Sequence, residues 1–316
     1  MNMEPAQVAA KRCTTPAEWS FVVNDASMLR LVVENVDSVH HRATFKVSSR
    51  KAQNEDQDIR YWLSVDTADI GYTSCVSARL ELEKVHFSSD GEESFTFCVD
   101  CRHVLVAIDN PASAHGTLTI EGHDSAVHIR IRDPEVASYE DYSVLPTFDE
   151  GHEDVELATL EYKMNLEIGV SDLRRAIRQA RKAHSDHVRI LVYTSDMGAR
   201  QRSVVVFSVQ GDNFYSAQKF CHDTHRDGDG SVTVRATPSS AEGAVEVECF
   251  DTEGTTPEYD QMFPVDKLDA FAKNIPSRMI VAKIEPKLPL MLVHVLGCDM
   301  ESQIRLLVAP KHTEID

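Results

Sequence analysis

The sequence predicts an α+β protein built from two similar halves, and three observations lead there. Short strands of alternating or β-branched residues outnumber helical segments along the chain. The order helix, strands, helix, strands runs through once and then again. A local pattern also recurs. Thr117-Leu-Thr-Ile-Glu-Gly followed by Ala126-Val-His-Ile-Arg-Ile echoes Val281-Ala-Lys-Ile-Glu-Pro followed by Pro289-Leu-Met-Leu-Val-His-Val. In both places an Ile-Glu pair precedes an apolar strand, as expected of a duplicated unit.

Taken in order, residues 1–16 read as a small, polar tail without periodicity, lacking the apolar stretch of a signal peptide. A helix is expected over 25–37. Strands follow at Ala43–Val47, Tyr61–Val65 and Ser77–Leu82, then a helix over 100–108 and strands at Gly116–Ile120 and Ala126–Ile131. Residues 133–161 hold ten acidic residues and no Lys or Arg, so they read as an extended, self-repelling linker. Val144, Leu145, Val155 and Leu157 interrupt it with apolar side chains that a purely solvating linker does not need. The second half offers helices over 171–184 and 264–275. Its strands are expected at Arg189–Tyr193, Ser203–Val209, Ser231–Arg235, Ala244–Phe250 and the two C-terminal apolar runs.

With 316 residues, the chain has room for one large domain or two ordinary ones. Asp+Glu 51 against Lys+Arg 32 gives a net charge of −19, which argues against a general nucleic-acid coat. It leaves room for bases confined to one surface. Seven scattered cysteines, an odd number, read as reduced intracellular thiols. No window is apolar enough for a membrane span.

Helix 171–184 is the sharpest local anomaly. Ser171 is its expected N-cap, with Asp172 at the positive end of the dipole. Leu173, Ala176, Ile177 and Ala180 make an apolar stripe for packing on a sheet. Arg174, Arg175, Arg178, Arg181 and Lys182 against Asp172 leave a local charge of about +4. The plain reading is a solvated basic face; the chemical one is backbone contact with phosphates, without base readout.

The C-terminus runs from Pro289-Leu-Met-Leu-Val-His-Val to Leu306-Leu-Val-Ala-Pro-Lys311. It resembles the end of the sliding DNA clamps of the proliferating cell nuclear antigen family, where two strands finish in Leu-Ala-Pro-Lys. Here Val308 stands before Ala309. The resemblance extends from about residue 20 to Lys311. It implies two clamp domains, 17–133 and 162–311, joined by a connector at 134–161, with short tails at 1–16 and 312–316. Antiparallel sheets would lie outside, with two helices per domain on the inner face. Three subunits would close into a pseudo-sixfold ring around duplex DNA.

The resemblance also assigns residues. Arg174, Arg175, Arg178, Arg181 and Lys182 would face DNA, with Lys267 and Lys273 from helix 264–275. The first half keeps only Arg30 and Arg102, so the DNA-facing charge should be lopsided. A partner-peptide pocket would include Val65, Val155, Leu157, Pro289, Leu307, Ala309 and Pro310. Ser64-Val-Asp-Thr-Ala-Asp-Ile resembles the family's pocket loop with Asp69 in place of a His, and Leu307 replaces a Tyr. The ring interface is expected at edge strands carrying Val127, Ile129 and Ile131 on one side and Tyr215 and Phe220 on the other.

The implied partners are double-stranded DNA, a DNA polymerase and other proteins bearing a short clamp-binding motif, a clamp loader, and two further copies in a homotrimer. The implied location is the nucleus, or a viral replication site if the owner is a large DNA virus. No cofactor, metal or catalytic residue is expected. Three alternatives stay open: a subunit of a checkpoint-type heterotrimer, a monomeric viral-type processivity factor, and a metal-dependent nuclease using Cys221, His222, His225, Asp227 and Asp229.

Overall fold

The computed structural model describes residues 16–50, 59–88, 93–109, 116–123, 125–132, 140–148, 160–197, 200–211, 214–226, 231–236, 252–297 and 301–311. The strand expected at Ala244–Phe250 and the glycines at 228 and 230 lie outside them. The first half runs β1 (Trp19–Val23), α1 (Ala26–Asp37), β2 (Arg42–Arg50), β3 (Arg60–Ala68), β4 (Ser74–Leu82), β5 (Lys84–Phe87), β6 (Ser94–Asp100), α2 (Cys101–Ile108), β7 (Thr117–His123), β8 (Ala126–Arg132) and β9 (Glu140–Pro146). The second runs β10 (Met164–Gly169), α3 (Val170–Lys182), β11 (His187–Met197), β12 (Arg200–Gly211), β13 (Phe214–Arg226), β14 (Val232–Ala236), β15 (Tyr259–Pro264), α4 (Val265–Asn274), β16 (Met279–Ile284), β17 (Leu290–Val295) and β18 (Gln303–Val308). The two lists match element for element.

The pairing repeats too. The order β5-β1-β7-β8-β9 in one half corresponds to β14-β10-β16-β17-β18 in the other, and β6-β2-β3-β4 to β15-β11-β12-β13. The halves are fused because β18 pairs antiparallel with β4, from Gln303 opposite Arg79 to Val308 opposite Ser74. The sheets are antiparallel with one departure: β10 and β14 run parallel. The Ile-Glu echo in the sequence falls on corresponding elements, β7–β8 and β16–β17.

Strand β9 lies inside the stretch expected to be an extended linker. Its alternation explains Leu145, which pairs with Val127 and is buried in the core while Glu140 faces solvent. Helices α1 with α2 and α3 with α4 pack as pairs, and α1 also touches α4. Their apolar stripes and the facing sheet residues form one core, including Leu29, Val33, Phe45, Ile129, Leu173, Ile177, Phe207, Phe271 and Leu306.

In the first half the gap between β1 and β6 is filled by rings. Trp19 stacks between Phe95 (centroids 4.3 Å apart) and Phe97 (4.9 Å). The indole lies over Gly122 of β7, where a Cβ would come within 2.0 Å of the ring. Replacing Gly122 by Ala should therefore destabilise the chain by about 2–3 kcal/mol, as overpacking does. Denaturant unfolding followed by tryptophan fluorescence measures it, and a cost near zero would mean that the stack moves freely.

Candidate DNA-facing surface and partner pocket

The helix α3 begins straight out of β10. Gly169 occupies its N-cap with no side-chain bond, so Ser171 is not the cap; it lies inside the first turn. The Val170 N–H instead donates to the Arg278 carbonyl at 2.9 Å. By contrast α1 and α2 carry aspartate caps, with Asp25 accepting from Ser27 N (2.9 Å) and Asp100 from Arg102 N (2.9 Å). Val170, Leu173, Ala176, Ile177 and Ala180 are buried, which turns Ser171, Arg175, Arg178 and Lys182 outward in one stripe.

The nine cations expected to face DNA divide into two groups. Arg175, Arg178, Lys182 and Lys273 are exposed, and none has a carboxylate partner among the described residues. The others are committed within the fold. Arg174 donates to the carbonyls of Ala272 (2.9 Å), Lys273 (3.3 Å) and Ile275 (2.9 Å), so it caps the end of α4. Arg181 pairs with Asp269. The Lys267 ammonium reaches Asp69 at 3.0 Å and is only 22% exposed. Arg30 contacts Glu34 and Asp109, both at 2.8 Å, and Arg102 contacts Asp37 at 3.7 Å. The first-half helices and their caps thus set two cations, Arg30 and Arg102, against Asp25, Glu34, Asp37, Asp100 and Asp109, and the lopsidedness read from the sequence is present in the charges.

The expected pocket is only partly assembled. Val155 and Leu157 lie outside the described residues. Val65 is 2% exposed in the core with Phe45, whereas Leu307 pairs with Cys75 on the opposite face of the sheet. Val65 therefore faces away from the pocket: side chains alternate along a strand, and this one points toward the helices. The Pro289 carbonyl accepts from the Tyr162 hydroxyl (2.9 Å), whose partial burial raises its pKa to about 12. The Ala309 N–H donates to Thr73 O (2.9 Å) and the Lys311 N–H to Met262 O (2.8 Å), which places Ala309 and Pro310 beside loop 69–73.

That loop is stiffened by Asp69. One carboxylate oxygen accepts from the N–H groups of Thr73 (2.7 Å) and Ser74 (3.2 Å), and the other from their hydroxyls. Lys267 ties the same carboxylate to α4. The loop holds Ile70 and Tyr72 in solvent, 92% and 68% exposed, with Tyr72 at φ 51°. Sequence reasoning passed over Tyr72; the signal was an apolar pair around Gly71 in an otherwise polar turn. A groove of about 510 Å³ continues the surface past Pro310 and Lys311 to His187, Tyr215 and the Arg189–Asp260 ion pair.

The expected edge at Val127, Ile129 and Ile131 is corrected. Strand β8 runs between β7 and β9, and these three side chains are buried in the core. Among the described residues the edge is β9 itself. On the other side β13 pairs with β14 only from His222 to Arg226, so residues 214–221 have a single strand neighbour among the described residues. Tyr215 is exposed there, while Phe220 turns inward and packs edge-on against Phe207 at 5.6 Å.

The described residues contain no group of three metal-ligating side chains. Cys221 is disulfide-bonded, contrary to the expectation of reduced thiols, and so offers no thiolate to a metal. Asp227 and Asp229 lie outside the described residues.

No protein-family model matches the chain, and no curated protein sequence matches it. Among solved structures, that of PCNA from Thermococcus kodakaraensis is similar, with a TM-score of 0.65 and 14% identity. The match covers 93% of this chain and 100% of that one. At this identity the likeness is one of fold. The chain has a PCNA-like α+β fold with large sheets and, among the described residues, four helices.

Two predictions follow from these bonds. Arg174→Ala should cost about 2 kcal/mol in denaturant unfolding, because three helix-end carbonyls lose their donor, whereas Arg175→Ala should cost little. For Asp69, partial burial pushes the carboxyl pKa up, but the bonds from Thr73, Lys267 and Ser74 outweigh it and hold the value at about 2. The folded value lies below the unfolded one. The stabilisation is therefore complete above about pH 4 and is lost as pH falls toward 2. Asp69→Asn should cost about 1–2 kcal/mol at pH 7 and progressively less below pH 4, as read from unfolding midpoints across pH.

Proposed function

We propose that the chain is a sliding clamp: copies join head to tail into a closed ring that encircles duplex DNA and holds a polymerase on its template. One observation carries this reading. The described residues contain one joint, β18 on β4, and leave the topological counterparts of those strands, β9 and the start of β13, with a single strand neighbour each. One edge of each kind on the same chain permits heterologous assembly, which gives a ring where the rotation between copies closes. The PCNA-like fold agrees with it, and the family resemblance supplies the number three.

In this reading the helices line the hole, and Arg175, Arg178, Lys182 and Lys273 touch phosphates without reading bases. A closed ring cannot leave DNA sideways, so weak contacts suffice and sliding is retained. The chain then needs no catalytic group. Its partners are a loader that opens the ring and polymerases or repair proteins that dock near Ile70, Tyr72, Ala309 and Pro310. Its place of work is the nucleus, or the replication site of a DNA virus.

A second reading rests on the excess of carboxylates over cations along the first-half helices and their caps. One chain of a mixed ring, or a ringless factor, would also tolerate a face with so little attraction for phosphate.

The test is retention on circular duplex DNA after loading, followed by linearisation. A clamp stays on the circle and runs off the linear form; equal loss from both excludes a ring. Arg175→Glu with Arg178→Glu should lower processive synthesis by roughly tenfold or more while leaving the assembly mass unchanged.

A further inference from the structure

The outer face of the sheet β5-β1-β7-β8-β9 carries a cluster of ionisable side chains that plays no part in the surfaces described above. Side chains alternate along a strand, so β7, β8 and β9 send Glu121, His123, His128, Arg130 and Tyr142 to this face, while Ile120, Val127 and Ile129 enter the core. Glu121 lies opposite His128 and His123 opposite Ala126, which makes the two imidazoles diagonal neighbours. Their ring centroids are 4.4 Å apart, and the residues are 7% and 5% exposed.

The bonds within the cluster leave no place for a second positive charge. Glu121 accepts from Arg130 at 2.8 Å and lies 3.6 Å from His123 Nε2. Both His123 nitrogens and Arg130 Nε are buried without a hydrogen-bond partner. The Tyr142 hydroxyl of β9 donates to His128 Nδ1 at 2.6 Å, and its ring stands edge-on to that imidazole, with centroids 5.4 Å apart. Protonation would turn this acceptor nitrogen into a donor. One carboxylate already balances one guanidinium, so the cluster is neutral only while both imidazoles are. Burial lowers the His128 pKa, and the neighbouring His123 lowers it further; Glu121 opposes the fall and Arg130 adds to it.

The other charged or titratable groups on this face, among the described residues, are Glu18 just before β1, Lys84 and His86 of β5, Arg132 and Glu140. All are exposed to water, and Arg132 is paired with Glu140 at 3.5 Å. Asp141 alternates to the opposite face. None of them supplies a buried counter-charge to the imidazoles.

We propose that this cluster is an acid-sensitive latch on β9: neutral His128 holds the strand against β8, and its protonation releases the strand while the rest of the sheet stays folded. Strand β9 is suited to local release. Among the described residues β8 is its single strand neighbour, and Leu145 is its one side chain buried in the core. The folded His128 value lies below the open one, which is near 6.5. The stabilisation is therefore complete above about pH 6.5 and is lost as pH falls below it. Between pH 8 and pH 5, one imidazole that stays neutral when closed and titrates freely when open shifts the opening equilibrium by about thirtyfold. The latch joins two strands of one chain and does not depend on the clamp reading.

The experiment is hydrogen exchange of the full chain at pH 8 and pH 5, corrected for intrinsic rates and read by mass spectrometry in peptides covering 140–146 and, for reference, 60–82. Protection of β9 should fall by about thirtyfold while β3 and β4 keep theirs. His128→Gln keeps an acceptor for the Tyr142 hydroxyl but does not titrate, and should cut the fall to about threefold or less. Tyr142→Ala, at a partly buried edge position, opens His128 to water and should cut it as well; it decides the matter if His128→Gln does not fold. Equal β9 protection at the two pH values overturns the latch. A fall shared by β3 and β4 also overturns it, because acid then unfolds the whole chain. An undiminished fall in His128→Gln overturns His128 as the sensor.

Discussion

The backbone ladder between β18 and β4 is the constraint on which the molecule depends. Each half alone would end in exposed amide and carbonyl rows, and the chain satisfies one such row on each half by pairing its last strand with an early one. That pairing fixes the relative placement of the halves, brings α1 against α4, and carries Ala309 and Pro310 to loop 69–73. The loop is then tied to α4 through Asp69 and Lys267. The loop that carries Ile70 and Tyr72 and the surface of the helices are thus tied to one sheet that runs through both halves.

The cations are divided by what their neighbours need. A chain with an excess of 19 negative charges has few bases to spend on any one surface. Five of the nine helix bases discussed above serve helix ends or ion pairs, and four on α3 and α4 stay exposed without a carboxylate partner among the described residues. Arg suits both tasks, because its planar fork reaches several carbonyl oxygens at once and also phosphate oxygens. Arg174 and Arg175 are adjacent in sequence and opposite in role.

Much of this was legible in the sequence. The four helices lie within a few residues of where periodicity placed them, and the Ile-Glu echo marks corresponding strands. Pattern was insufficient where tertiary contacts decide. Arg174-Arg178-Arg181 and Arg175-Arg178-Lys182 are both plausible helical stripes, and only the neighbouring end of α4 separates them. Strand β9 was concealed because its solvent-facing positions are acidic within a longer acidic run, so β8 was read as the edge. Val65 was assigned to a pocket by likeness of its loop, while the alternation of β3 sends it to the core. The cap was misplaced because a Ser followed by Asp is a strong local signal, yet β10 passes directly into α3 and leaves no turn for it.

The ladder between β18 and β4 joins residues more than two hundred positions apart, so it has a consequence for biosynthesis. As the chain leaves the ribosome, β18 emerges more than two hundred residues after β4. Until β18 emerges, β4 presents an open amide edge with no cognate strand available. Two nascent chains on one message could then exchange C-terminal strands, each closing the other's sheet. Such swapped dimers would have native ladders throughout and would not be recognised by any local test of misfolding. The hazard grows as ribosomes lie closer together on the message and does not depend on the stability of the finished fold.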